Sequence, residues 1–116
     1  MNKEELLERT KTFAHRCVKL ALSLPKTTLG IHISKQLIRC STSVAANYRA
    51  VRLAQSKASF TAKMSIVLEE ADESAFWLEF IIEEKLIKEN LVSFLLKEAE
   101  ELTAIFFSSR KTAIAK

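Results

Sequence analysis

The chain is 116 residues long, 48% apolar and 28% charged, with a formal net charge of +4. That composition suits one packed domain spanning residues 1–116 and excludes a disordered chain. One glycine (Gly30) and one proline (Pro25) are too few turn formers for a sheet-rich fold, and no window of about 18 residues is apolar without charge, which leaves no membrane span.

The first predicted helix runs from about Asn2 to Ser23. Asn2 can cap it, and Glu4, Glu5 and Glu8 favour the positive end of its dipole. Leu6, Phe13, Cys17, Leu20 and Leu24 form an i, i+3, i+4 stripe, flanked by Leu7, Ala14, Val18 and Ala21. Pro25 stops the helix. The second helix starts after Thr27, a candidate N-cap, and runs to about Ala54. Its inward stripe is Leu29, Ile33, Leu37, Cys40, Val44, Tyr48 and Val51. Gly30 falls in the first turn, where its cost is least, and small Ser41, Ala45 and Ala46 allow a neighbour to pack closely.

A third helix opens at Ser56 and runs to about Glu84, with Phe60, Met64, Val67, Ala71, Ser74, Leu78, Ile81 and Ile82 inward. Lys85–Lys88 contains no Gly or Pro, so this joint is the least defined. The fourth helix is predicted from about Glu89 to Ser109, with Leu91, Phe94, Leu95, Leu102, Ile105 and Phe106 inward and a fraying tail over 110–116. Short joints force neighbouring helices antiparallel. The expected fold is all-α, an up-down-up-down four-helix bundle.

Charge is divided along the chain. Residues 1–66 carry 12 Lys and Arg against 3 Asp and Glu, a net +9, and residues 67–116 carry 6 against 11, a net −5. On a helical wheel Lys35, Arg39 and Arg49 fall within about 80° of one another, opposite the second helix's apolar stripe. Arg52 flanks them, and Lys57 and Lys63 continue the positive run. On the third helix Glu69, Asp72, Glu73, Glu79, Glu83 and Glu84 face away from Val67, Ala71 and Leu78. A solvated face usually mixes signs. This segregation instead suits head-to-tail docking of one subunit on the next, or a phosphate backbone bound by counterion release. Base readout is disfavoured, because few aromatics accompany the cations. Phe76 and Trp77 flank the third helix's stripe, as part of a wide core or as an aromatic edge at a subunit interface.

Enzyme chemistry finds little footing. Neither histidine, His15 or His32, follows a glutamate at the Glu-x-x-His spacing of a di-metal bundle site, and His-x-x-x-His and Cys-x-x-Cys are absent. No metal or other cofactor is expected, and a single glycine allows no phosphate-cradling loop. Cys17 and Cys40 lie among apolar residues and read as buried thiols. A nucleophile pair, Cys17 with His32 or Cys40 with His15, has nothing to orient it. The charged start Met1-Asn2-Lys3-Glu4-Glu5 leads into no signal-type run, and the expected location is cytoplasmic.

The stretch Leu37-Ile-Arg-Cys-Ser-Thr-Ser-Val-Ala-Ala-Asn47, the segment from Ser56 to Glu79, and the opening Phe13…Cys17…Leu20-Ala21…Leu24-Pro25-Lys26 resemble a bacterial family. Its members are proteins encoded in intervening sequences of 23S ribosomal RNA genes, also labelled S23 ribosomal proteins. The resemblance covers nearly the whole chain and rests on no single chemical motif. It implies a four-helix bundle assembling as a ring, commonly a homopentamer. It also implies kinship with accessory proteins of diversity-generating retroelements, which bind nucleic acid and work with a reverse transcriptase. Many members follow the Asn with an acidic Asn-Ile-x-Glu-Gly turn; here the same place reads Asn47-Tyr-Arg-Ala-Val-Arg52, which loses the turn and gains two cations. The expectation is a non-enzymatic ring that binds RNA or DNA through Lys35, Arg39, Arg49, Arg52, Lys57 and Lys63, with Glu69, Glu73, Trp77 and Glu83 at the subunit interface. Asn47 is expected to hydrogen-bond across a helix joint or to a ligand. The alternative is an oligomeric scaffold, such as a reverse-transcriptase accessory protein, whose charged faces serve only subunit and partner contacts.

Overall fold

Three of the four helices start where a side chain can satisfy the free amides of the first turn. Asn2 accepts from the Glu5 amide at 2.8 Å, Thr27 from Gly30 at 3.0 Å and Ser56 from Ser59 at 3.0 Å. The resulting elements are α1 (Lys3–Leu22), α2 (Thr28–Val51), α3 (Lys57–Glu83) and α4 (Ser93–Ala115), with a short 3-10 turn at Glu89–Leu91 before α4. This computed structural model describes residues 1–115; Lys116, in the tail expected to fray, lies outside the described residues. No strand occurs among the described residues.

The helices run up-down-up-down in a bundle of 46 × 21 × 20 Å. Successive helices pack along their length, while α1 and α4 meet more sparsely. The stripes of α1 and α2 enter one apolar core, where Phe13, Cys17, Ile33, Leu37, Cys40 and Val44 are at most 1% exposed. From α3, Val67, Ala71, Leu78 and Ile81 meet them.

The joints show why the chain turns where it does. A Cβ on Gly30 would lie 1.9 Å from the Pro25 carbonyl oxygen. Glycine is therefore required by the close approach of the α1–α2 joint, beyond being tolerated in a first turn. The third joint has no glycine, yet it closes as a Schellman turn. The Leu86 amide donates to the Ile81 carbonyl at 3.1 Å and the Lys85 amide to Ile82 at 3.0 Å, with Lys85 at φ 54°. A side chain there costs what a glycine would avoid.

Beyond this joint two expected inward residues of α4 are corrected. Leu91 and Phe94 point outward, 56% and 62% exposed, while Val92, Leu95, Ala99, Leu102 and Phe106 enter the core. Leu95, Leu102 and Phe106 are inward as expected; the correction falls at the start of the helix, where the 3-10 turn advances the chain differently from an α-helix and brings in Val92 in place of Leu91 and Phe94. Arg16 covers Phe94, its guanidinium 5.3 Å from the ring centroid. The tail is also corrected: α4 continues to Ala115, and Arg110 Nε donates to Ser65 Oγ on α3 at 2.6 Å.

Two opposite backbone substitutions test the joints by urea denaturation. Gly30→Ala is expected to destabilise by about 1–3 kcal/mol, because overpacking against backbone outweighs the helix-propensity gain. Lys85→Gly is expected to stabilise by about 0.5–1 kcal/mol, since the left-handed turn no longer carries a Cβ.

Candidate functional site

Between Glu8 and Glu69 the chain carries eleven Lys and Arg and no Asp or Glu. α2 lies wholly within this run, so its cations can find a carboxylate only across a seam. Arg39 does so. Its Nη1 donates to Glu70 at 3.1 Å and its Nη2 to Glu73, both on α3. Arg9 does the same for α1, gripping Glu98 of α4 through two hydrogen bonds of 2.7 Å and Glu101 through one of 3.1 Å. Among the described residues, the other nine cations of the run have no carboxylate within salt-bridge distance.

The fold therefore divides the six predicted phosphate ligands instead of aligning them in one stripe. Arg39 faces α3 and is held by its glutamates. Arg49 and Arg52 turn toward α1 and border an open groove of about 610 Å³. Lys57 borders a separate depression between the start of α3 and the end of α4. Lys35 stands exposed on α2, and Lys63 is half-buried on α3. The groove brings in two residues that the α2 wheel does not contain, Lys11 and His15 of α1. Their signal was the carboxylate-free run itself, which begins in α1.

The predicted interface residues are also sorted. Glu69 and Glu83 are exposed, whereas Glu73 and Trp77 are half-buried. Trp77 Nε1 donates to Glu73 Oε2 at 3.1 Å, and its ring meets His32 edge-on at 5.6 Å. Phe76 is the aromatic that reaches solvent, 50% exposed and packed edge-on against Trp77 at 4.9 Å. Asn47 bonds within its own helix, Nδ2 donating to the Ser43 carbonyl at 2.9 Å and Oγ at 2.7 Å, and crosses no joint.

The two thiols are free and buried. Burial pushes the Cys40 thiol up to about 11, against a weaker opposing effect of the Ser74 hydroxyl 3.2 Å away. Cys17 is raised further, again by burial. Both stay protonated at neutral pH, which withholds the thiolate that nucleophilic chemistry needs. His15 and His32 are both exposed, the first at the groove and the second against Trp77. No helix among the described residues is long and apolar enough to cross a membrane.

Fold and surface together define a small all-α bundle with a predominantly cationic α1–α2 side, where Glu8 is the one carboxylate at the groove, and an acidic third helix. The chain belongs to the 23S rRNA-intervening sequence protein family, whose model matches residues 2–108. It is similar to a solved structure of a protein of unknown function from the S23 ribosomal protein family of Bacteroides thetaiotaomicron. The two share 32% identity and superpose with a TM-score of 0.86 over 96% of this chain and 99% of that one. Among curated proteins none matches.

The Arg39–Glu73–Trp77 network has a pH signature. Partial burial raises the Glu73 carboxyl, but hydrogen bonds from Arg39 and Trp77 outweigh it and hold the group below its ordinary value of 4.5. Folding thus favours the ionised form. The stabilisation is present above 4.5 and is lost as pH falls through the lower folded-state value. The urea midpoint of the wild type is expected to exceed that of Glu73→Gln at about pH 6, and the difference to shrink progressively below the usual carboxylate range.

Proposed function

We propose that this chain is a non-enzymatic, cytoplasmic, ring-forming bundle that binds the phosphates of RNA or DNA. The observation that carries this reading is the set of cations left without a carboxylate partner on the α1–α2 side. A cation already paired within its own chain gains little from a phosphate, because the exchange breaks one ion pair to make another. Arg39 is therefore assigned to holding α2 against α3, and Lys35, Arg49, Arg52, Lys57 and Lys63 to phosphate contact, with Lys11 beside them. Lys11, Lys35, Arg49, Arg52 and Lys57 are exposed and only Lys63 is half-buried, so a ligand reaches these cations without any rearrangement of the helices. The printed family description concerns where such proteins are encoded, and it agrees with this reading without naming a ligand.

The second reading is an oligomeric scaffold or adaptor, for instance the accessory partner of a reverse transcriptase in a homopentameric ring. It is favoured by the surface of α3, where Glu69, Glu83 and half-exposed Phe76 stand together. Here the charges serve subunit and partner contacts.

Fluorescence anisotropy with labelled structured RNA and duplex DNA separates the two. Over about 50–200 mM salt, log affinity is expected to fall linearly with log salt, with a slope of several charges. Replacing Arg49 and Arg52 together by Gln should weaken binding to all sequences alike and reduce the slope by about two. Absence of binding at about 50 mM salt would leave the scaffold reading in its place.

A further inference from the structure

The α1–α2 groove has a floor made of Ala14, Ala45 and Ala46, flanked by Lys11, Arg49 and Arg52, with Glu8 as the one carboxylate against three cations. Side chains this small leave a helix-wide channel between two ridges, which is how a third helix is received. Ala14 is buried by the chain's own packing, but Ala46 is exposed and Ala45 only partly covered. The floor therefore has room that no element of this subunit fills.

α3 carries a matching ridge on its outer side. Ala62, Ile66, Glu69, Glu73, Phe76, Phe80 and Glu83 recur at alternating spacings of four and three, the repeat of a helix that packs along another helix. The core of this bundle is already served by a different set of α3 residues. Ile66 and Phe76 of the ridge are 45% and 50% exposed. They lie about 15 Å apart along the helix, the length that Thr42–Arg52 spans on the groove wall. The ridge alternates these apolar groups with carboxylates, and the groove sets a small apolar floor between cations. Both shape and sign are complementary.

We propose that the α3 ridge of a second copy seats in the α1–α2 groove, with Ile66 and Phe76 over the alanine floor and Glu69 and Glu83 against the Lys11, Arg49 and Arg52 rim. The two surfaces lie on different helices of one subunit, so the contact is heterologous and each subunit both gives a ridge and receives one. This names the surfaces and residues of subunit contact. It rests on the ring-forming part of the reading above and shares Lys11, Arg49 and Arg52 with the phosphate part, but association is measured without nucleic acid, so the two fail separately.

The test uses the full chain in sedimentation velocity. Ala46→Trp fills the floor at an exposed position, and Phe76→Glu places a charge at the centre of the ridge. The wild type is expected to sediment as an oligomer, and each variant as a monomer with unchanged helicity by circular dichroism. Ala46→Trp keeps an intact ridge and Phe76→Glu an intact groove. An equal mixture is therefore expected to give a 1:1 heterodimer and nothing larger. Arg49→Glu serves as a second groove variant should Ala46→Trp lose helicity. A monomeric wild type at micromolar concentration, a variant that keeps the wild-type size, or a mixture that stays monomeric would each overturn the proposal. A monomeric wild type that still bound RNA would leave phosphate binding standing alone, with the groove as a place for phosphates.

Discussion

The surface of this bundle is governed by where its carboxylates are missing. From Arg9 to Leu68 every ionisable side chain able to carry charge at neutral pH is a cation or a histidine, apart from two thiols that burial keeps neutral. Neutralisation must then come from the first turns of α1, where Glu8 borders the groove, from α3, from α4 or from outside the chain. The fold uses α3 and α4 sparingly, through Arg39 on the α2–α3 seam and Arg9 on the sparse α1–α4 seam. Such pairs at a surface contribute little to stability, roughly 0–1 kcal/mol each. Their larger effect is positional, since each ties a helix to a neighbour at a fixed register and each removes one cation from the free set.

Stability rests instead on the core, where the stripes of the four helices interlock. Buried polar groups there are satisfied locally: the Thr10 hydroxyl donates to the Leu7 carbonyl at 2.8 Å and the Ser74 hydroxyl to Glu70 at 2.9 Å. Among the described residues no buried side-chain polar atom lacks a partner. The buried polar groups are thus spoken for within the chain. Groups available to a ligand or partner lie on the outside, on helices whose inner faces hold them rigid.

Much of this fold was legible in the sequence because its signals were local. Asn2, Thr27 and Ser56 cap helices through bonds spanning three residues, and the inward stripes of α1 to α3 follow from periodicity alone. α4 was misread where local signals ended. Without Gly or Pro between Lys85 and Val92, nothing in the residues announces a left-handed lysine and a 3-10 turn, so Leu91 and Phe94 were read as inward and Val92 was missed, while Leu95, Leu102 and Phe106 were placed correctly. The site was legible in its charge and not in its arrangement. That Arg39 meets Glu70 and Glu73 depends on the register of two helices across 31 and 34 residues of chain. That Arg49 keeps company with Lys11 depends on the α1–α2 crossing, which a wheel of α2 alone does not contain.

The same division of charge sets the relation between assembly and anion binding. Carboxylates of a neighbouring α3 and phosphates of a nucleic acid answer the same deficit, and at Arg49 and Arg52 they answer it in the same place. A docked ridge would satisfy these two arginines and exclude water from the alanine floor, while Lys35 and Lys57 stand away from the groove. A bound anion would satisfy the arginines without filling the floor. An acidic helix with apolar side chains thus matches both halves of the groove, and a phosphate backbone matches only its rim. Where subunits dock, the groove would take the helix and leave Lys35, Lys57 and Lys63 for phosphates; where they do not, Arg49 and Arg52 join that set.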